Sequence, residues 1–181
     1  KIKENDIVYF KNSNEPVKIK AGVDKVIQFD NLDPVKIRKI LDKYGGNDGI
    51  EADKMEKEAT RFLGVKYGIL ANSGSSAGLL ALSALELPKG SEVIIPATTF
   101  PTIFNIILQC GLVPVVIDSK VGTYILDPDE LEVAISEKTK AVIIVHAVGN
   151  VADWEKINVI AKKHNLITIL DNCDGFGSTL N

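Results

Sequence analysis

The sequence predicts a three-layer α/β/α fold around a mostly parallel sheet. Two observations carry this. Short runs rich in Val and Ile, YGILAN (67–72), EVIIP (92–96), VPVVID (113–118), AVIIVH (141–146) and ITILD (167–171), lack polar alternation, as strands buried on both faces do. Segments of helical character separate them, and a strand, a helix and a strand in succession make a crossover to a parallel neighbour.

In chain order, residues 1–32 are rich in Lys and Asn, carry only short pieces such as IVYF and VIQF, and are set apart as an unassigned N-terminal segment. Residues 33–181 read as one domain. Asp33 caps and Pro34 opens a helix with Val35, Ile37, Ile40, Leu41 and Tyr44 at helical spacing, and Gly45-Gly46 ends it. A second helix covers residues 51–62. Four more are expected at Ser75–Leu85, Thr102–Gln109, Pro128–Ser136 and Asp153–His164. The helix at 128 has Asp127 as cap, Pro128 at its first position and Glu130 in capping-box spacing, with Leu131, Ala134 and Ile135 as its inner stripe.

Composition narrows the function. A chain of 181 residues, 45% apolar and 25% charged, suits one globular domain with a substantial core. Lys plus Arg number 21 against 24 Asp plus Glu, so the net charge of −3 provides no surplus for neutralising nucleic-acid phosphates. The apolar runs fall far short of the roughly 20 residues of a membrane span, and the lysine-rich start has no apolar leader. The expectation is a cytoplasmic protein without a nucleic-acid or membrane partner. Cys110 and Cys173, with two histidines, form neither a framework of several disulfides nor a zinc spacing, so both thiols read as reduced and no metal is expected. The chain starts without Met and stops just after a strand and a Gly-Phe-Gly-Ser turn, which suggests one piece of a longer polypeptide.

In open parallel sheets, ligands sit at the carboxyl ends of the strands. Four loops lie there. Asn72-Ser73-Gly74-Ser75-Ser76-Ala77 opens an apolar helix, where glycine, hydroxyls, amides and the helix dipole suit either a phosphate cradle or a plain Ser cap. The P-loop and dinucleotide patterns are both absent. Phe100, in Pro96–Thr102, could stack on a flat ligand or belong to the core. His146, at the end of its strand, is either an acid or base or a buried hydrogen-bonded side chain, whereas His164 ends a helix beside Lys162 and Lys163, where a cation suits the dipole. Asp171 ends an apolar strand, so its carboxylate needs a cation or a donor. A protonated ring nitrogen would serve, as in pyridoxal phosphate chemistry; magnesium ligation or helix capping are the other readings for Asp171 and Asp174. Cys173 has no basic neighbour in sequence and reads as packing.

These loops together resemble the DegT-type sugar aminotransferase and dehydratase family of fold type I pyridoxal phosphate enzymes. The resemblance runs from about Gly49 to Asn181, through FLGVKYGILANSGSSAGLLALSAL, EVIIPATTFPT, GLVPVVID, LEVAISEKTKAVIIVHAVGN and LITILDNCDGFGS in order. It implies that 33–181 is the N-terminal portion of a large domain binding pyridoxal or pyridoxamine phosphate. By the same resemblance Gly74, Ser75 and Ser76 match the turn for the cofactor phosphate, and Phe100 matches the aromatic on the ring. Asp171 matches the carboxylate at the ring nitrogen, and Asp174 falls near the phenolic oxygen, where the aminotransferases have His or Gln. His146–Asn150 matches the loop beneath the site.

Within that family NSGSSA, VHAVGN and DNCD-x-x-GS are similar to the 3-dehydratases of nucleotide-linked 4-keto-6-deoxy sugars, enzymes of deoxysugar and lipopolysaccharide biosynthesis. Gly78, where these dehydratases have Asn, and Val151-Ala152-Asp153, in place of a small Pro-containing turn, depart from the pattern. The implied reaction expels the 3-hydroxyl while Asp171 keeps the ring nitrogen protonated. A glutamate-dependent sugar aminotransferase is the alternative within the family, and a noncatalytic α/β domain the alternative outside it. The deciding residue, Lys in aminotransferases and His in dehydratases, follows the Asp motif past Asn181. The resemblance also implies a nucleotide-sugar substrate, a homodimer, and a separate reductase as a further partner.

Overall fold

The computed structural model describes residues 7–8, 50–63, 65 and 67–176, with residues 7, 8 and 50 described by their backbone alone. The helix expected after Asp33 lies outside these residues. In chain order the elements are β1 (Ile7–Val8), α1 (Ile50–Leu63), β2 (Tyr67–Gly68), α2 (Gly74–Ala84), β3 (Glu92–Pro96), α3 (Pro101–Gln109), β4 (Val113–Ile117), α4 (Pro128–Ala134), β5 (Thr139–Val145), a 3₁₀ turn (Ala147–Gly149), α5 (Trp154–Lys163) and β6 (Ile167–Asp171).

Four strands form a parallel sheet in the order β4-β3-β5-β6, in register at Ile94 with Val115 and Val142, and at Val145 with Asp171. The central strands are buried as their unalternated sequences require: Val93, Ile94 and Ile95 of β3 and Ala141 to Ile144 of β5 are at most 1% exposed. Ile107 of α3, Leu131 of α4 and Ile157 of α5 join this core with no exposed surface. Each such side chain contributes about 1.5–3 kcal/mol of burial. The helices pack in pairs, α2 with α3 and α4 with α5.

Two strands depart from expectation. The run 67–72 yields only β2, which pairs with β1 in a separate two-stranded ribbon. Its continuation is diverted because the amide of Leu70 donates to Glu56 Oε1 of α1 at 2.8 Å, taking a donor that a ladder would need. In β4, Val113 and Val116 are 44% and 50% exposed, since β4 is the edge of the described sheet. Pro114, which cannot donate to a ladder, fits that edge position. The helix expected to reach Ser136 stops at Ala134, with Ile135 extended and the Ser136 amide bonded to Thr139 Oγ1. Asp127 caps this helix, but through the amide of Asp129, and Glu130 makes no return bond among the described residues.

The chain leaves β3 toward β4 on one side and β5 toward β6 on the other. A crevice opens where these connections diverge, at the carboxyl ends of β3 and β5. Among the described residues no helix is long and apolar enough to cross a membrane.

Candidate active site

A cavity of about 600 Å³ lies at those strand ends, within the range that holds a small-molecule ligand. Its walls come from Asn72–Ser75, from the loop after β3 and the first turn of α3, from the end of β5 with Ala147 and Val148, and from Asp171, Cys173 and Asp174 after β6.

The first wall is the start of α2. Ser73 is its cap: the Oγ accepts from the amide of Ser76 and donates to Ser76 Oγ, both at 3.1 Å. The cap reading and the cradle reading thus overlap at Ser73, which closes the helix with Ser76 and lines the cavity with Gly74 and Ser75. Ser76 does not line it. Gly74 is required by proximity, since a Cβ there would stand 2.8 Å from Cys173 Sγ. The start of α2 therefore closes directly on the loop after β6.

Phe100 is 67% exposed and lines the cavity, so its core reading is corrected. It caps α3 with extended backbone and no side-chain hydrogen bond, and Pro101 at the first helical position carries the chain away, leaving the ring outside the hydrophobic core.

Asp171 is half-buried at the last position of β6, with Oδ1 accepting from the amide of Cys173 at 3.1 Å. Asp174 Oδ2 accepts from the amide of Val148 at 3.2 Å. That amide is presented by a tight turn in which Val148 and Gly149 have φ of +55° and +81°. Among the described residues the cavity lining thus holds two carboxylates and no Lys or Arg. Two carboxylates, an uncovered aromatic ring and a helix N-terminus are the donor set that a pyridine ring bearing a phosphate needs: a carboxylate for the ring N–H⁺, a face for stacking, and amides with hydroxyls for the anion. The residues present fit that group.

His146 does not line the cavity. It is 6% exposed, its Nδ1 lies 2.8 Å from Asn172 Oδ1, and its Nε2 is buried without a partner. Burial pulls its pKa below the ordinary value against the opposing effects of the Asn172 hydrogen bond and the Asp171 charge. Of its two readings, the structure places the buried hydrogen-bonded one, since the ring turns under the loop to Asn172. Its backbone amide also donates to the carbonyl of Asp171 at 3.1 Å, so it fastens β5 to β6 directly beneath the site. His164 ends α5 on the surface, 3.3 Å from Glu132 Oε1.

Sequence reasoning gave no site role to Thr102 or to Cys173, and both line the cavity. Cys173 is exposed and lines the cavity, and neither cysteine is in a disulfide. The signal for Cys173 was its place two residues past a strand-ending Asp, in a turn too short to bury it.

Comparison with known proteins agrees with this geometry. Residues 30–181 match the model of the DegT/DnrJ/EryC1/StrS aminotransferase family. The chain is 46% identical over 143 residues to dTDP-4-dehydro-2,6-dideoxy-D-glucose 3-dehydratase of Saccharopolyspora spinosa, covering 75% of this chain and 30% of that protein. It is 32% identical over 179 residues to 3-oxo-glucose-6-phosphate:glutamate aminotransferase of Bacillus subtilis, covering 97% of this chain and 41% of that one. Its fold superposes on an E. coli GDP-4-keto-6-deoxy-D-mannose-3-dehydratase with bound hydrated PLP at a TM-score of 0.70 and 30% identity, over 90% of this chain and 43% of that one. The chain thus spans less than half the length of each of these three proteins. With the family match covering most of its length and the cavity where a parallel sheet puts a ligand site, the chain belongs to the DegT/DnrJ/EryC1/StrS family of pyridoxal phosphate-dependent sugar aminotransferases and dehydratases.

Proposed function

We propose that the protein carrying this chain removes the 3-hydroxyl of a nucleotide-linked 4-keto-6-deoxy sugar, using pyridoxamine or pyridoxal phosphate, and that residues 33–181 are the N-terminal portion of its cofactor-binding domain. The observation that carries the reading is the convergence of Gly74, Ser75, Phe100, Asp171 and Asp174 on one cavity.

When bound, the cofactor supplies an electron sink for bond breaking at the sugar. The rest is the work of this chain. Gly74 lets the backbone approach closely, and Ser75 with the α2 amides takes the phosphate. Phe100, exposed on the cavity wall, would stack on one face of the ring and exclude water from it. Asp171, fixed by the Cys173 amide and the β5–β6 ladder, keeps a proton on the ring nitrogen, where the positive charge draws electrons. Asp174, tied to the Val148 amide, would stand on the phenolic side of a bound ring. His146 supports Asp171 from below through its backbone.

Dehydration is favoured over amination by DNCD, in which Asp174 stands where aminotransferases carry His or Gln, and by the higher identity to the 3-dehydratase. The reading includes a cytoplasmic homodimer and a separate reductase acting on its product. Borohydride treatment of the whole protein loaded with cofactor tests the choice. A dehydratase with histidine at the Schiff-base position leaves the polypeptide mass unchanged; covalent trapping on a lysine, with glutamate-dependent amination of a keto sugar, reverses the choice and leaves the cofactor site standing.

A further inference from the structure

Ser75 and Thr102 stand on the cavity wall with their hydroxyl oxygens 2.9 Å apart, one in the first turn of α2 and the other in the first turn of α3. Because α2 and α3 pack against each other, the pair is fixed by a helix–helix contact and not by a loop. Neither hydroxyl has a second partner among the described residues. Two hydroxyls hold two protons, and one hydrogen bond between them uses one. Whichever oxygen donates, one O–H remains for a ligand.

Ser76 differs in its position. Its amide donates to Ser73 Oγ and its hydroxyl oxygen accepts from Ser73 Oγ, and Ser76 itself does not line the cavity, so its own O–H is not presented to a ligand there. The first turn of α3 also begins without a side-chain cap, Pro101 has no N–H, and the amide of Ile103 is spent on the carbonyl of Phe100. Polar donors without protein acceptors, close to a start of α2 that carries no acidic side chain in its first turn, suit a phosphate, whose oxygens only accept.

We infer that Thr102, paired with Ser75, is a ligand of the cofactor phosphate and completes the cradle in the place assigned above to Ser76. This rests on the reading of the cavity as the cofactor site. A phosphate here could also come from the sugar nucleotide, and the test separates the two sources.

Dissociation constants for pyridoxamine phosphate, for pyridoxamine and for GDP are to be measured on the whole protein as wild type, Thr102→Val, Thr102→Ser and Ser75→Ala. Thr102→Val keeps the branched shape and removes the hydroxyl. The expected result is a loss of about 10- to 100-fold for pyridoxamine phosphate, no change for pyridoxamine, near-complete recovery in Thr102→Ser and a comparable selective loss in Ser75→Ala. Unchanged affinity in Thr102→Val, with the wild-type preference for the phosphorylated cofactor intact, overturns the role of Thr102 alone. Equal losses for both pyridoxamines assign it a structural role and overturn it too, while a loss confined to GDP moves the pair to the substrate diphosphate. A wild type that binds pyridoxamine phosphate no better than pyridoxamine overturns the cofactor reading itself, and this inference with it.

Discussion

Asp171 carries the chemistry of the account at the scale of single residues. Replacing it with Asn keeps the size and an acceptor for the Cys173 amide but removes the charge that favours a protonated ring nitrogen. Asp171→Asn in the whole protein is therefore expected to lower turnover by about 100-fold or more with an unchanged unfolding midpoint; unaltered turnover would remove Asp171 from the site. His146 makes a different prediction. Burial holds its folded pKa down, so the unfolded chain takes up a proton first as pH falls through about 6.5. Its contribution to stability is fully present above that pH and lost below it. Urea midpoints between pH 7.5 and 5 should fall more steeply for the wild type than for His146→Gln, and equal slopes would refute the assignment. The strand-end position of Asp171 was legible in the sequence, because a carboxylate closing an apolar strand has few places to go, whereas the residues left Phe100 between a stacking face and the core. The direction of the His146 ring was not. It depends on Asn172 across the β5–β6 ladder and on a left-handed Val148, neither of which has a local signature.

Among elements, the sequence announced those whose burial is two-sided and left open those shaped by a neighbour. β3, β5 and β6 follow from runs of Val and Ile, and α5 was expected over Asp153–His164, where the structure shows Asp153 as the cap that accepts from the amide of Lys156 at 3.2 Å. β2 was overestimated because a Glu56 side chain fourteen positions away takes its amide. The exposure of β4 was hinted at only by Pro114. The loop after β6 is the element on which the site depends most, and Gly175 is its constraint: a Cβ there would meet Asn172 Oδ1 at 2.6 Å and His146 Cβ at 3.0 Å. Gly175→Ala must displace the Asn172–His146 pair, at a cost of about 1–3 kcal/mol. Denaturant titration of the whole protein checks this, and a variant as stable as the wild type would show that the contact relaxes freely.

For the molecule as a whole, apolar surface sets the expectation. Phe104 and Leu108, four residues apart on α3, are 39% and 50% exposed, and Val113 and Val116 leave the β4 edge similarly uncovered. Surface of this kind invites association. Light scattering on the whole protein at micromolar concentration is expected to give a dimer mass; a monomer mass would contradict it. The cavity itself joins four loops that are distant in sequence, a convergence that strand order creates and that no single motif encodes. The most direct test of the central claim is the distance from the Asp171 carboxylate to the pyridine nitrogen in a crystal structure of the whole protein with pyridoxamine phosphate. The account expects a hydrogen bond of about 2.7–3.2 Å, with the phosphate at Gly74 and Ser75; a ring bound elsewhere, or bound here with its nitrogen turned away from Asp171, would contradict it.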